Sequence, residues 1–297
     1  MILLSLVGEQ PIPNLLPLWQ FPEFTGVQFA ATTTTERQAK ALLEYLPRDD
    51  RLPGLTLHPT VLVEAYHLGK ARHALGRAIS EWHARGETVL LNFTGGTKIM
   101  SLAALQAAYG TGVGVVYVST EEGVVIFYQS DGVETRREKL DVHVSVVQYL
   151  EANGLSVKRP NPHFVPSPKE GDWLEEQVRQ AAVDSGLFDD VQRGVEVSRM
   201  LRDGTAVKNE LDVVVTRNGK LAVCSCKTGK NISNDTIYEL AALSSRENLG
   251  IYCGKVLVAT SKDLPPGVEQ RARASRVHFV GHAGLNNVDY YLKLATD

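Results

Sequence analysis

The chain has 297 residues, enough for two domains with separate cores. A net charge of −3, with 43% hydrophobic and 22% charged residues, excludes a disordered chain and a global basic field; any nucleic-acid contact must be local. Cys224, Cys226 and Cys253 are too few for a disulfide framework and fit a reducing cytoplasm, and no apolar run reaches the roughly 20 residues of a membrane span.

Residues 2–7 are apolar throughout and predict a buried parallel strand. It ends in a stiff polar loop, Gly8-Glu9-Gln10-Pro11-Ile12-Pro13-Asn14. Residues 15–21 read as helix or turn and residues 27–31 as a second strand. Residues 32–35, four threonines including Thr33, lead into a helix over 36–45 with a threonine as N-cap. Residues 47–59 read as a polar connection, 60–85 as a long helix and 88–91 as a strand. Residues 102–108 form a helix, and 113–119 and 124–128 are strands joined by a hairpin. Alternating strands and helices predict a doubly wound α/β sheet.

Between strand 88–91 and its helix stands Asn92-Phe93-Thr94-Gly95-Gly96-Thr97-Lys98. Gly95 and Gly96 let the backbone turn sharply and approach a ligand closely. Thr97 and the first free N–H groups of the helix face any anion, and Lys98 adds positive charge. The spacing matches neither a P-loop nor the dinucleotide fingerprint, so the stretch reads either as a phosphate cradle or as an ordinary capped connection. In a doubly wound sheet, ligands lie beyond the carboxyl ends of the strands, where the loops at 8–14, 32–35 and 94–98 all fall. None carries an acid–base pair or a metal cluster, which favours binding over catalysis in this half.

Residues 141–155 predict one more helix, and 156–169, with Pro160, Pro162, Pro166 and Pro168, a linker. A helix starting at Gly171-Asp172-Trp173-Leu174-Glu175 turns Leu174 and Val178 inward, with Glu175 at the margin. Strands follow at 191–199, 209–216 and 221–227, the last two joined by the hairpin signal Asn218-Gly219. A helix over 235–243 and strands at 256–259 and 277–280 complete the chain. Alternation puts Asp212 on one face of its strand and Ser225 with Lys227 on one face of the next, so the carboxylate and the ammonium can converge. Such a pair suits metal-assisted phosphodiester cleavage, but the pattern alone is met more often by a surface salt bridge across two strands. Cys224 and Cys226 share the other face and read as packing residues.

Two stretches together resemble one architecture. Residues 92–101 look like the ligand loop of CARF domains, the Rossmann-like sensors of cyclic oligoadenylates in type III CRISPR defence. Gly171-Asp172-Trp173-Leu174-Glu175, Asn209-Glu210-Leu211-Asp212 and Ser225-Cys226-Lys227-Thr228-Gly229 look like the restriction-endonuclease-like PD-(D/E)xK half of CRISPR ancillary nucleases. The resemblance implies a CARF domain over 1–140, a helix and proline-rich linker over 141–168, and a nuclease-like α/β domain over 169–297. It also implies a cytoplasmic homodimer, with no membrane association. In it Gly8, Glu9, Gln10, Thr33, Thr94, Gly95, Gly96, Thr97 and Lys98 hold cyclic tetra-adenylate across a two-fold axis.

The activated protein would cut single-stranded RNA or DNA, or nick duplex DNA, with Mg²⁺ or Mn²⁺. Asp212 and the Cys226 carbonyl would be metal ligands, Lys227 would orient water and Glu175 would be an auxiliary acid. One position departs from the family pattern: Ser225 stands where a glutamate is expected. Some restriction enzymes with this fold take the missing carboxylate from the following helix, which here points to Glu239 as the third ligand. The alternative is a catalytically impaired sensor that binds or sequesters the cyclic ligand.

Overall fold

The computed structural model describes residues 1–158, 171–200, 203–229, 232–250 and 253–297. The chain divides into two compact units, Met1–Val142 with Ala152–Gly154, and His143–Glu151 with Leu155–Asp297.

The first unit runs β1 (Ile2–Leu6), α1 (Ile12–Gln20), β2 (Gly26–Ala31), α2 (Glu36–Tyr45), β3 (Thr56–Leu62), α3 (Leu68–Ala84), β4 (Val89–Asn92), α4 (Lys98–Ala108), β5 (Gly114–Ser119), β6 (Val124–Tyr128) and β7 (Glu134–Lys139). Its sheet has the order β3-β2-β1-β4-β5-β6-β7, parallel from β3 to β5 and antiparallel at β6 and β7. All five residues of β1 are buried. Leu4 and Leu6, with Leu91 and Val115, pack against Leu75 and Ile79 of α3 and Ala103 and Ala104 of α4. Each such leucine stabilises the fold by about 1.5–3 kcal/mol. The chain leaves β1 toward β2 on one side and β4 lies on the other, so the crevice beyond these two strand ends is the topological switch point.

Two strands here differ from the sequence expectations. Residues 60–85 are not one helix: Thr56–Leu62 is the edge strand β3, and the helix begins at Leu68. Pro59 interrupts a helix but is tolerated on an edge strand, and Thr60 and Val61 favour extended backbone. β7, Glu-Thr-Arg-Arg-Glu-Lys, has no apolar face to reveal it. Arg136 instead lies over the rings of Phe21 and Phe127, and Arg137 pairs with Glu134 and Glu122. Such charges also keep an exposed edge from pairing with another chain.

The second unit runs α5 (Val146–Ala152), β8 (Ser156–Lys158), α6 (Asp172–Ser185), β9 (Asp190–Met200), β10 (Ala206–Arg217), β11 (Lys220–Lys227), α7 (Asn234–Leu243), α8 (Arg246–Leu249), β12 (Cys253–Ala259), α9 (Pro266–Ala274), β13 (His278–Val280) and α10 (Val288–Thr296). Its sheet order is β13-β12-β11-β10-β9-β8, with β8 to β11 antiparallel and β11 to β13 parallel. Leu174 and Val178 of α6 and Val288 and Leu292 of α10 cover one face, on Val213, Val215, Cys224, Cys226 and Val256. Asn218 and Gly219 take φ of 50° and 72°, the left-handed pair that a tight hairpin requires.

The helix expected over 141–155 is shorter. Ser145 and Gln148 cap each other's backbone N–H groups at 3.1 and 3.0 Å, starting α5 at Val146, and Gly154 at φ 77° follows its end. The first residues expected in the linker are strand β8, and the remainder, 159–170, lies outside the described residues. Among the described residues no helix is long and apolar enough to cross a membrane.

Candidate functional site

In the first unit the loops after β1 and β4 touch backbone to backbone at the switch point. A Cβ on Gly95 would lie 2.1 Å from the Leu6 carbonyl oxygen and 2.8 Å from the Gly8 nitrogen, and one on Gly8 would lie 2.8 Å from the Gly96 nitrogen. Gly96 also has φ of +81°. No other residue fits here, so the glycines are required by the contact itself.

A buried polar layer supports the two loops. Ser5 Oγ donates to Asn14 Oδ1 at 2.8 Å, and Asn14 Nδ2 donates to the Pro11 carbonyl at 3.1 Å. Asn92 Nδ2 donates to the Pro13 carbonyl at 3.0 Å, while its Oδ1 accepts from Thr94 N at 3.1 Å and Thr94 Oγ1 at 2.6 Å. Thr94 Oγ1 also accepts from Val118 N at 2.8 Å. Thr97 caps α4: its Oγ1 accepts from Met100 N at 3.2 Å and donates to the Ala65 carbonyl at 2.6 Å. The hydroxyls of Thr94 and Thr97 therefore hold the loop. What remains to face a ligand is the exposed Lys98 side chain and the backbone N–H groups of Lys98 and Ile99, which have no intrahelical acceptor.

Gln10 is buried and Glu9 half-buried on the neighbouring loop. Thr33 is exposed on the turn after β2, where Thr32 and Thr35 bond to each other's backbone N–H at 3.2 and 3.0 Å. The Thr35 hydroxyl is spent on that turn and does not cap α2 as expected.

In the second unit the β10–β11 ladder stops at the pair Val213–Cys224. Beyond it β10 stays with β9 and β11 stays with β12, so the two strands fork. Asp212 stands at the fork. Its Oδ2 accepts the Cys226 N–H at 2.7 Å, replacing the carbonyl that the ladder would have supplied, and also accepts Ser225 Oγ at 3.2 Å. Both bonds fall on one oxygen and leave Oδ1 available. Lys227 is half-buried on β11 and forms no ion pair with Asp212 among the described residues, which counts against the salt-bridge alternative for this pair.

Glu175 projects from the first turns of α6. Its carboxyl is pushed up to about 7, first by burial and then by the charge of Asp212, with Asp172 and Glu210 adding to the effect. Arg193 of β9 opposes them. Its side chain is 8% exposed, lies 3.9 Å from Glu175 and 3.6 Å from Glu176, and donates to the Asp172 carbonyl at 2.8 Å. Glu239 is exposed on α7, on the side away from the buried Ile237 and Leu240. Among the described residues no three His, Cys, Asp or Glu side chains gather into a metal-holding group, with Glu239 or without it. The Cys226 thiol is pushed far up by the neighbouring Cys224 thiol and by burial, as suits a packing residue and not a thiolate ligand.

A divalent cation fits this centre on chemical grounds. The carboxylates of Glu175, destabilised as an anion first by burial and then by Asp212, and of Asp212 itself are hard oxygen donors whose mutual repulsion a cation would relieve.

Residues 2–149 match the family model of the Card1 CARF domain, and residues 168–295 match that of the Card1-like endonuclease domain. The chain belongs to the CARF-nuclease ancillary proteins, with a Card1-type CARF domain followed by a Card1-like endonuclease domain. The fold is similar to that of protein VC1899 from Vibrio cholerae, with a TM-score of 0.81 at 17% identity over 99% of this chain and 98% of that one. It is also similar to Can2 from Sulfobacillus thermosulfidooxidans, solved with cyclic tetra-adenylate, with a TM-score of 0.77 at 19% identity over 100% and 99%. A type III CRISPR defence DNA nuclease activated by cyclic oligoadenylate gives 0.63 at 17% identity over 90% of this chain and 46% of that one. No curated protein matches the sequence. The first unit is thus a Rossmann-like CARF domain and the second an α/β endonuclease domain.

Four residues of these centres, Ser5, Asn14, Asn92 and Arg193, are given no role by the sequence patterns, although Asn14 and Asn92 lie at the ends of the loops that those patterns mark. Ser5 and Asn92 are visible there as polar residues in apolar strands, and Arg193 as the one charge in the inward row Val191, Arg193, Val195, Val197. Asn14, inside a proline-rich loop, carries no such signal.

Two outcomes follow from this geometry. Gly95→Ala should destabilise the CARF domain by about 1–3 kcal/mol or more in urea unfolding, because backbone must move to admit the methyl group. In metal-free protein, folded Glu175 keeps its proton between its ordinary value of 4.5 and about 7 while the unfolded chain has released it. Stability should therefore fall as pH rises through that window, and Glu175→Gln should flatten the fall in urea unfolding compared at about pH 5 and about pH 8.

Proposed function

We propose that the CARF domain binds a cyclic oligoadenylate, cyclic tetra-adenylate in particular, and that this binding switches on divalent-metal-dependent cleavage of single-stranded RNA or DNA by the nuclease domain. The observation that carries the nuclease half is Asp212 held at the strand fork by the Cys226 N–H, with Glu175 close enough for the Asp212 charge to raise the Glu175 carboxyl. Ser225 removes one expected carboxylate, and Glu175 supplies a second one from α6 instead of Glu239 from α7. Asp212, Glu175 and the Cys226 carbonyl would hold Mg²⁺ or Mn²⁺, which when bound polarises a phosphoryl oxygen and makes water acidic.

The chain's own groups do the rest. Ser225 and the Cys226 N–H fix Asp212 in one orientation, with Oδ1 free for the cation. Arg193 anchors the first turns of α6 through the Asp172 carbonyl, which sets where Glu175 stands. Lys227, half-buried with no ion-pair partner among the described residues, is placed to hold the scissile phosphate or the attacking water.

For the CARF half, the support is the glycine contact at the switch point, Lys98 at the start of α4, and the likeness in fold to Can2, which was solved with cyclic tetra-adenylate. A two-fold ring suits a homodimer in which both copies offer the same loops. The protein would act in the cytoplasm, where the messenger and the invading nucleic acid meet.

With Mn²⁺ and cyclic tetra-adenylate, Asp212→Asn should lower cleavage of a labelled oligonucleotide by about two orders of magnitude or more, whereas Glu239→Ala should cut at the wild-type rate. No cleavage by the wild-type protein at any metal concentration would leave the impaired sensor as the reading. Cyclic tetra-adenylate at about 100 times its Kd should stabilise wild-type and Asp212→Asn protein alike by about 2.7 kcal/mol in thermal unfolding.

A further inference from the structure

The sheet face that carries Glu210 and the even-numbered residues of β10 continues past the fork as a polar floor. There β8, β9 and β10 line an open cavity of about 540 Å³. Ser156 pairs in register with Ser198, and Ser198 with Lys208, so the three side chains form one row across three strands on one face. None of the three has a side-chain hydrogen bond or ion pair among the described residues.

The next row toward the fork is Lys158, Glu196 and Glu210, in which Lys158 and Glu196 neutralise each other at 2.6 Å. Beyond that row stands Asp212, and the neighbouring β9 position is Gly194, which raises no side chain over the floor. The charge along this path is graded. Carboxylates collect at the fork, where a cation is required, and an ammonium and two hydroxyls without partners among the described residues stand at the far end.

Two hydroxyls and one ammonium supply several donors and a single formal charge, which matches a phosphodiester monoanion. The four steps along the strand from Lys208 to Asp212, at about 3.3 Å each, span about 13 Å. That is the length of about two nucleotides of an extended strand. We propose that the Ser156–Ser198–Lys208 row is a phosphodiester subsite that holds a single-stranded nucleic acid about two nucleotides from the bond cut at the Asp212 centre. The inference rests on the nuclease reading for its register, but the subsite itself binds whether or not the chain cuts.

Binding is therefore measured apart from cleavage, by fluorescence anisotropy of one labelled single-stranded sequence, as RNA and as DNA, on full-length Asp212→Asn protein. Adding Lys208→Gln should raise Kd about 5- to 10-fold and reduce the slope of log Kd against log salt by about 0.7, the loss of one phosphate contact on a single strand. Ser198→Ala should raise Kd by a smaller factor with the slope unchanged, and Lys293→Gln, on α10 outside the cavity, should change neither. Unchanged affinity and slope for Lys208→Gln, or an equal loss for Lys293→Gln, would overturn the subsite. Wild-type protein that binds through Lys208 yet never cuts would sink the nuclease reading and leave the subsite standing. Cleavage with Lys208-independent binding would do the reverse.

Discussion

Where β10 leaves β11, a carboxylate takes the place of a carbonyl. The N–H of the buried Cys226 must be satisfied, and Asp212 Oδ2 satisfies it at 2.7 Å. That one bond holds the fork open, fixes the rotamer of Asp212 and presents its other oxygen to the gap. The core beneath depends on the same opening, since Cys224 and Cys226 turn inward against Leu174 and Val178 of α6 and so bring Glu175 to the fork. Burial then makes the nearness of the two carboxylates unfavourable, and Arg193 offsets only part of it. The remaining strain is electrostatic and is of the kind that a divalent cation removes.

The CARF domain solves a different problem with the same economy of parts. Two loops that must lie together at the switch point do so because Gly8, Gly95 and Gly96 allow backbone contact that any side chain would block. The side chains of Asn14 and Asn92 then lock the stretch after β1 from below through the carbonyls of Pro11 and Pro13, and Asn92 Oδ1 holds the loop after β4 through Thr94. With the hydroxyls of Thr94 and Thr97 bound inward, a ligand is left with backbone N–H groups and Lys98, donors that suit phosphates and carry little preference for a base.

Much of this architecture is legible in the amino-acid sequence. Continuous apolar runs mark β1, β2, β4, β5 and β6, because strands covered on both faces have no reason to alternate, and Asn218-Gly219 marks its hairpin. The edge strands β3 and β7 are not legible, since polar and charged edges lack an apolar face, and the capping pair Ser145–Gln148 that shortens α5 is hidden in an otherwise helical pattern. For the nuclease centre, alternation identifies Asp212, Ser225 and Lys227 but cannot show where the ladder ends. The fork, and therefore the bond from Cys226 to Asp212, is a tertiary fact. Helical spacing places Glu175 at the margin of the buried stripe, but its nearness to Asp212 depends on how α6 lies across the sheet. Distance along the chain favours Glu239, whereas α7 turns Ile237 and Leu240 inward and leaves Glu239 in solvent.

Calorimetric titration of Mn²⁺ into the full chain, without nucleic acid or cyclic ligand, tests the two-carboxylate centre most directly. The account predicts binding by the wild-type protein that is lost in both Glu175→Gln and Asp212→Asn and kept in Glu239→Gln. Binding that survives Glu175→Gln but disappears in Glu239→Gln would contradict it, and would return the third carboxylate to α7.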